Sequence, residues 1–114
     1  MDLFYDLTES VKKNLDEVQK MFAQYQKKNF PERTPEFFCL ELNGEAGELA
    51  NAEKKKWKGK AVDEHTFMDE SADVLIALMN YANSRKINLG EAVREKLLTI
   101  EKNRKELADK GLEY

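Results

Sequence analysis

The stretch that decides the fold runs Thr34-Pro35-Glu36-Phe37-Phe38-Cys39-Leu40-Glu41-Leu42-Asn43-Gly44-Glu45-Ala46-Gly47-Glu48-Leu49 and continues through Ala50-Asn51-Ala52-Glu53-Lys54-Lys55-Lys56 to Trp57. Thr34 before Pro35 is a helix start, because a threonine hydroxyl caps the free N–H groups and proline fits the first helical position. Phe38, Leu42, Ala46 and Leu49 then recur at three- and four-residue spacing, which predicts an amphipathic helix fading near Trp57-Lys58-Gly59. Glu45 falls between Leu42 and Leu49 on the apolar side of that helix. Solvated charge belongs opposite the core, so a carboxylate there calls for a reason.

A second acidic motif, Glu70-Ser71-Ala72-Asp73, repeats the arrangement, with Glu70 between Phe67 and Val74. Residues three apart on a helix share a face, so each motif presents two carboxylates side by side. Two such helices packed antiparallel bring Glu45, Glu48, Glu70 and Asp73 together, and their mutual repulsion calls for a cation. All four offer hard oxygen ligands and neither motif contains His or Cys, which selects Mg²⁺, with Mn²⁺ as substitute, over zinc, copper or iron.

The rest of the chain divides at breaker signals into three further helices. The first is expected from Thr8 to Lys28, with Val11, Leu15, Val18, Phe22 and Tyr25 as its apolar line, ending before Phe30-Pro31. Leu3, Phe4 and Tyr5 would precede its cap. Asp63 is the expected cap of the third, which carries Phe67, Val74, Leu78 and Tyr81 and stops at Ser84-Arg85-Lys86. Asn88 with Glu91 three residues on resembles a capping box for the fourth, lined by Val93, Leu97, Ile100 and Leu107. No segment alternates with a period of two, so the reading is all-α: a four-helix bundle spanning 1–114 as a single domain.

At 114 residues the core is modest, and self-association into a homodimer or homotetramer would bury more of the apolar surface. A formal charge of -3 removes the electrostatic footprint of a duplex nucleic-acid binder. The start has no basic or apolar leader character, and the longest apolar run, Val74 to Met79, is too short to span a bilayer, so no membrane partner and a cytoplasmic location are expected. Cys39 is the only cysteine, excludes an intrachain disulfide, and reads as a small core residue. His65, near a helix start, reads as surface.

Lys54, Lys55, Lys56, Lys58 and Lys60 surround Trp57. Two accounts fit: cations gathered at a helix C-terminus, or a phosphate site beside a metal. Trp57 reads first as partial core, and as a stacking platform for a base if the site holds a nucleotide. Asn103, Arg104 and Lys105 in the last helix are either a solvated face or further ligand contacts.

The order of these features resembles the MazG-like all-α nucleoside triphosphate pyrophosphohydrolases, whose core motif is close to Gly44-Glu45-Ala46-Gly47-Glu48-Leu49 and whose second acidic motif matches Glu70-x-x-Asp73. The resemblance covers Phe37 to Arg104. It implies a MazG-like bundle completed by oligomerisation and Mg²⁺-dependent hydrolysis of a (deoxy)nucleoside triphosphate to the monophosphate and pyrophosphate, with a dCTP or dUTP preference as one form of nucleotide-pool housecleaning. It also implies metal-binding and catalytic roles for Glu45, Glu48, Glu70 and Asp73. Phosphate contacts would come from Lys54, Lys55, Lys56 and Arg104, and nucleoside contacts from Trp57 and Asn103. Some relatives carry an aromatic- and His-rich stretch before the second helix, for which Phe30 and Phe37 are the substitutes here. The alternatives are a non-catalytic helical module that binds nucleotides or a protein, and a di-metal redox bundle, which needs Glu-x-x-His pairs that this chain lacks.

Overall fold

The structure, a computed structural model, describes residues 2–114, and among them every regular element is helical. Helix α1 (Leu3–Ser10) passes through a π-helical turn (Val11–Leu15) into α2 (Asp16–Asn29), and α3 (Pro35–Trp57), α4 (Glu64–Ser84) and α5 (Leu89–Asp109) follow. The all-α expectation therefore holds. The described residues fall into two compact units, 2–22 with Ile87–Tyr114, and Ala23–Lys86.

Three of the four expected caps are in place. Thr34 Oγ1 accepts from Phe37 N at 3.3 Å, Asp63 Oδ1 from His65 N at 2.9 Å, and Asn88 Oδ1 from Glu91 N at 2.9 Å. The first helix starts earlier than Thr8, at Leu3, because Asp2 Oδ1 accepts from Phe4 N at 3.1 Å and Tyr5 N at 3.2 Å. An aspartate caps better than a threonine and also carries charge favourable to a helix N-terminus. Thr8 is instead buried inside α1, its hydroxyl donating to Tyr5 O at 2.9 Å. Leu3, Phe4 and Tyr5 are thus helical residues rather than a leading tail.

In the unit containing both chain ends, the first helical segment packs on α5. Buried Gln19 holds the start of α5: its Nε2 donates to Ile87 O at 2.6 Å and its Oε1 accepts from Leu89 N at 2.8 Å. One side chain so satisfies Leu89 N, a donor that the helix start leaves open, and the carbonyl of Ile87 just before the cap. Asn88 Nδ2 donates to Asp16 Oδ1, and Arg94 reaches Glu9 at 3.2 Å. Gly90 lies against the π-helical turn so closely that a Cβ there would stand 2.5 Å from Lys12 O and 3.1 Å from Val11 O.

In the Ala23–Lys86 unit, α3 and α4 pack on one another along their length. Phe38, Ala52, Ala77, Met79 and Ala82 are its buried apolar residues. The three alanines are small enough to let helix backbones approach, and burying a phenylalanine such as Phe38 contributes about 1.5–3 kcal/mol. Gly59, at φ 83°, ends α3 in the left-handed conformation that glycine adopts without strain. Cys39 corrects the sequence reading: it is exposed, one step round the helix from buried Phe38.

Gly90 offers a test in which sign is informative. Alanine is the better helix former by about 1 kcal/mol, so with open space Gly90→Ala would stabilise the protein. Because both opposing atoms are backbone, the substitution is expected instead to destabilise it by about 1–3 kcal/mol, read as a lower melting temperature.

Candidate metal centre

Glu45 on α3 and Glu70 and Asp73 on α4 converge: each offers a carboxylate oxygen, and these oxygens lie within 4.8 Å of one another. All three side chains are half-buried. The i, i+3 spacing puts Glu70 and Asp73 on one face of α4, and the packing of α3 against α4 supplies Glu45 from the opposite side. Glu48, one turn on from Glu45, is exposed at the rim, close enough to Glu70 for the two carboxyl groups to share a proton.

Glu45 Oε2 and Glu70 Oε2 are both shut off from solvent and have no hydrogen-bond partner. Burial is the main reason that the Glu70 carboxyl is pushed up to about 7, reinforced by the hydrogen bond and charge of Glu48 and by the charges of Glu45 and Asp73. Glu45 is raised as well, again chiefly by burial and then by Glu48 and Asp73. The charged groups acting on both are all acidic. Two orphaned, desolvated carboxylate oxygens with acidic neighbours are what a hard divalent cation would satisfy, so the donor set fits Mg²⁺.

The lysine cluster separates by helix face. Lys55 shares a groove of about 460 Å³ with Glu48, Asn51, Thr66 and Glu70, so it is the lysine beside the acidic centre. Lys56 is engaged elsewhere, its Nζ 2.8 Å from Glu64 Oε1 and 5.2 Å above the Phe67 ring. Lys54 and Trp57 share a different surface with Ala50, Glu53 and Lys58, where the indole is 88% exposed. Trp57 is thus not core. Asn103 and Arg104 belong to α5 in the other unit, where Arg104 Nε donates to Glu101 Oε1 and draws the Glu101 carboxyl below the usual range.

The groove also contains Asn51 and Thr66, which the sequence reading passed over. Asn51 follows Glu48 by three residues, and Thr66 precedes Glu70 by four; extending each acidic row by one turn would have found both. His65 is exposed, as read.

The chain matches no family model, no curated protein and no solved structure.

The raised carboxyls set a pH dependence. A folded-state pKa of about 7 for Glu70, against an ordinary 4.5, means that the folded protein binds more protons than the unfolded one between those values. Without divalent cation, the melting temperature is expected to fall as pH rises from 4.5 to about 7. Mg²⁺ added above that window should restore it. Glu70→Gln should flatten the fall and remove the response to Mg²⁺. A melting temperature indifferent to both pH and Mg²⁺ would remove the centre.

Proposed function

We propose that this protein is a Mg²⁺-dependent nucleoside triphosphate pyrophosphohydrolase that converts a (deoxy)nucleoside triphosphate and water to the monophosphate and pyrophosphate. The observation that carries the reading is the convergence of Glu45, Glu70 and Asp73 with two buried, unpartnered carboxylate oxygens, beside a groove that also holds Glu48 and Lys55. The resemblance of Gly44–Leu49 and Glu70–Asp73 to the MazG-like motifs, which rests on the same carboxylates, agrees with it.

Glu45, Glu70 and Asp73, with Glu48 at the rim, would hold the cation. When bound, Mg²⁺ supplies neutralisation of phosphate charge and a lowered pKa for coordinated water. Exposed Glu48, in contact with Glu70, is suited to orient a water and accept its proton as the water oxygen attacks the α-phosphorus. The α–β anhydride bond breaks, and pyrophosphate leaves with the bond's electron pair. Lys55 offers a positive charge to the phosphates along the groove. Water is the nucleophile, so no covalent intermediate is needed. A dCTP- or dUTP-preferring housecleaning enzyme of the cytoplasm, where triphosphates and Mg²⁺ are abundant, is the setting that fits best.

Self-association completes the reading. On α4, Met68, Ala72, Leu75 and Ile76 form a stripe at i, i+4, i+7 and i+8, and all four are exposed; Met68 is 70% and Leu75 51% accessible. An apolar row of this kind left open to water is a contact face for a second copy. We infer a homodimer or homotetramer built through it.

Incubation with ribo- and deoxynucleoside triphosphates, with Mg²⁺ or with EDTA, should yield monophosphate and pyrophosphate in the Mg²⁺ arm alone. Glu48→Gln and Asp73→Asn should each lower kcat by about 10²–10⁴ while circular dichroism stays helical. Wild-type turnover by both variants would refute the assignment. In sedimentation, Leu75→Glu is expected to shift the protein toward monomer; an unchanged distribution would exclude the α4 stripe as the contact.

A further inference from the structure

The end of α3 gathers Lys54, Lys55, Lys56, Lys58 and Lys60 around Trp57, five positive charges in seven residues of a chain whose formal charge is -3. Capping does not use them. The carbonyls at this helix end are taken by backbone donors: Lys58 N donates to Lys54 O at 3.1 Å, Gly59 N to Lys56 O at 2.9 Å and Lys60 N to Lys55 O at 3.0 Å. With Gly59 in the left-handed conformation this is a complete helix closure, which asks nothing of the lysine side chains. Lys56 is held by Glu64. The ammonium groups of Lys54, Lys55, Lys58 and Lys60 make no hydrogen bond or ion pair among the described residues.

Trp57 is the only tryptophan of the chain, and its indole stands 88% exposed. No described ring or cation stacks on it. It borders a groove of about 720 Å³ lined by Ala50, Glu53, Lys54, Lys56 and Lys58. Lys54 and Lys58, four residues apart, share one helix face with their Cβ atoms about 6 Å from each other. An open aromatic ring flanked by unpaired cations is an arrangement that stacks a base while the cations meet the phosphates beside it.

The make-up of this corner separates that ligand from other partners. A lipid surface takes up several bulky apolar side chains, whereas Trp57 is alone among Lys54–Lys60, and Glu53, Asp63 and Glu64 would be brought up against anionic headgroups with it. A protein interface is built around a broader apolar centre than one ring and Ala50. A duplex keeps its bases stacked on each other, so it has no free base face to offer. We propose that the Trp57 corner binds single-stranded nucleic acid, with one base stacked on the indole and the neighbouring phosphates met by Lys54 and Lys58. Neither Trp57 nor Lys54 lines the acidic groove, so binding here is independent of turnover there.

Because Trp57 is the only tryptophan, its emission reports the contact directly. In EDTA, which keeps the acidic centre from recruiting phosphates through a metal, a short single-stranded oligonucleotide of mixed sequence should quench Trp57 saturably. A duplex and an abasic strand of the same length should quench far less. In anisotropy with the labelled oligonucleotide, Trp57→Ala should weaken binding about tenfold. The double variant Lys54→Gln, Lys58→Gln should flatten the slope of log affinity against log salt by about 1.4. Circular dichroism should stay helical in both, since all three side chains are exposed. Equal quenching by the abasic strand, or wild-type affinity in Trp57→Ala, would leave charge alone and overturn the stacking site. If oligonucleotides leave the emission unmoved, the inference fails: a blue shift with phosphatidylserine vesicles then assigns the corner to a membrane, and a shift of Trp57→Ala toward monomer in sedimentation assigns it to a second copy.

Discussion

Repulsion among carboxylates on the α3–α4 pair is the interaction around which this protein is arranged. Glu45, Glu70 and Asp73 face each other within 4.8 Å, with two oxygens out of reach of water and of any hydrogen-bond donor. Such a cluster opposes the packing of the helices that carry it, and the raised carboxyls of Glu45 and Glu70 express that opposition. The helices meet nonetheless because Phe38, Ala52 and Ala77 bury apolar surface on the same faces and because Thr34 and Asp63 cap both N-termini. Stability is thus supplied at the ends and along the alanine contacts, and yielded at the centre.

Glu45 and Glu70 both occupy positions turned toward the interior of the Ala23–Lys86 unit, and both hold a carboxylate oxygen that no described residue satisfies. A sequence selected for stability alone would place leucine or methionine there. Departures from local consistency of this kind gather where a ligand is to complete the structure. Glu45 and Glu70 converge across the α3–α4 contact, so one cation between them would answer both.

The terminal unit shows the contrasting case, in which polar groups are fully used. Gln19 closes the backbone at the start of α5, Asn88 caps that helix and ties it to Asp16, and Arg94 joins Glu9. Gly90 is required because Lys12 and Val11 carbonyls, brought forward by the π-helical turn, occupy the space of a side chain. A π-helical turn shifts the helix register by one residue and turns carbonyls away from their usual partners, which gives a neighbouring helix something to pack on.

Much of the architecture was legible without coordinates. Helix starts at Thr34, Asp63 and Asn88, the all-α class, and the pairing of Glu70 with Asp73 on one face follow from interactions within four residues of chain, which a sequence displays directly. The start at Leu3 was misjudged because two capping candidates, Asp2 and Thr8, stand close together and only the built hydrogen bonds separate them. Other features needed the tertiary structure. The division of the lysines, with Lys55 on the acidic groove and Lys54 beside exposed Trp57, depends on which face of α3 is covered by α4. So do the exposure of Cys39 and the bridging by Gln19. Periodicity tells which residues share a face; which face meets a neighbour, and which polar atom then loses its water, is decided only when distant segments pack.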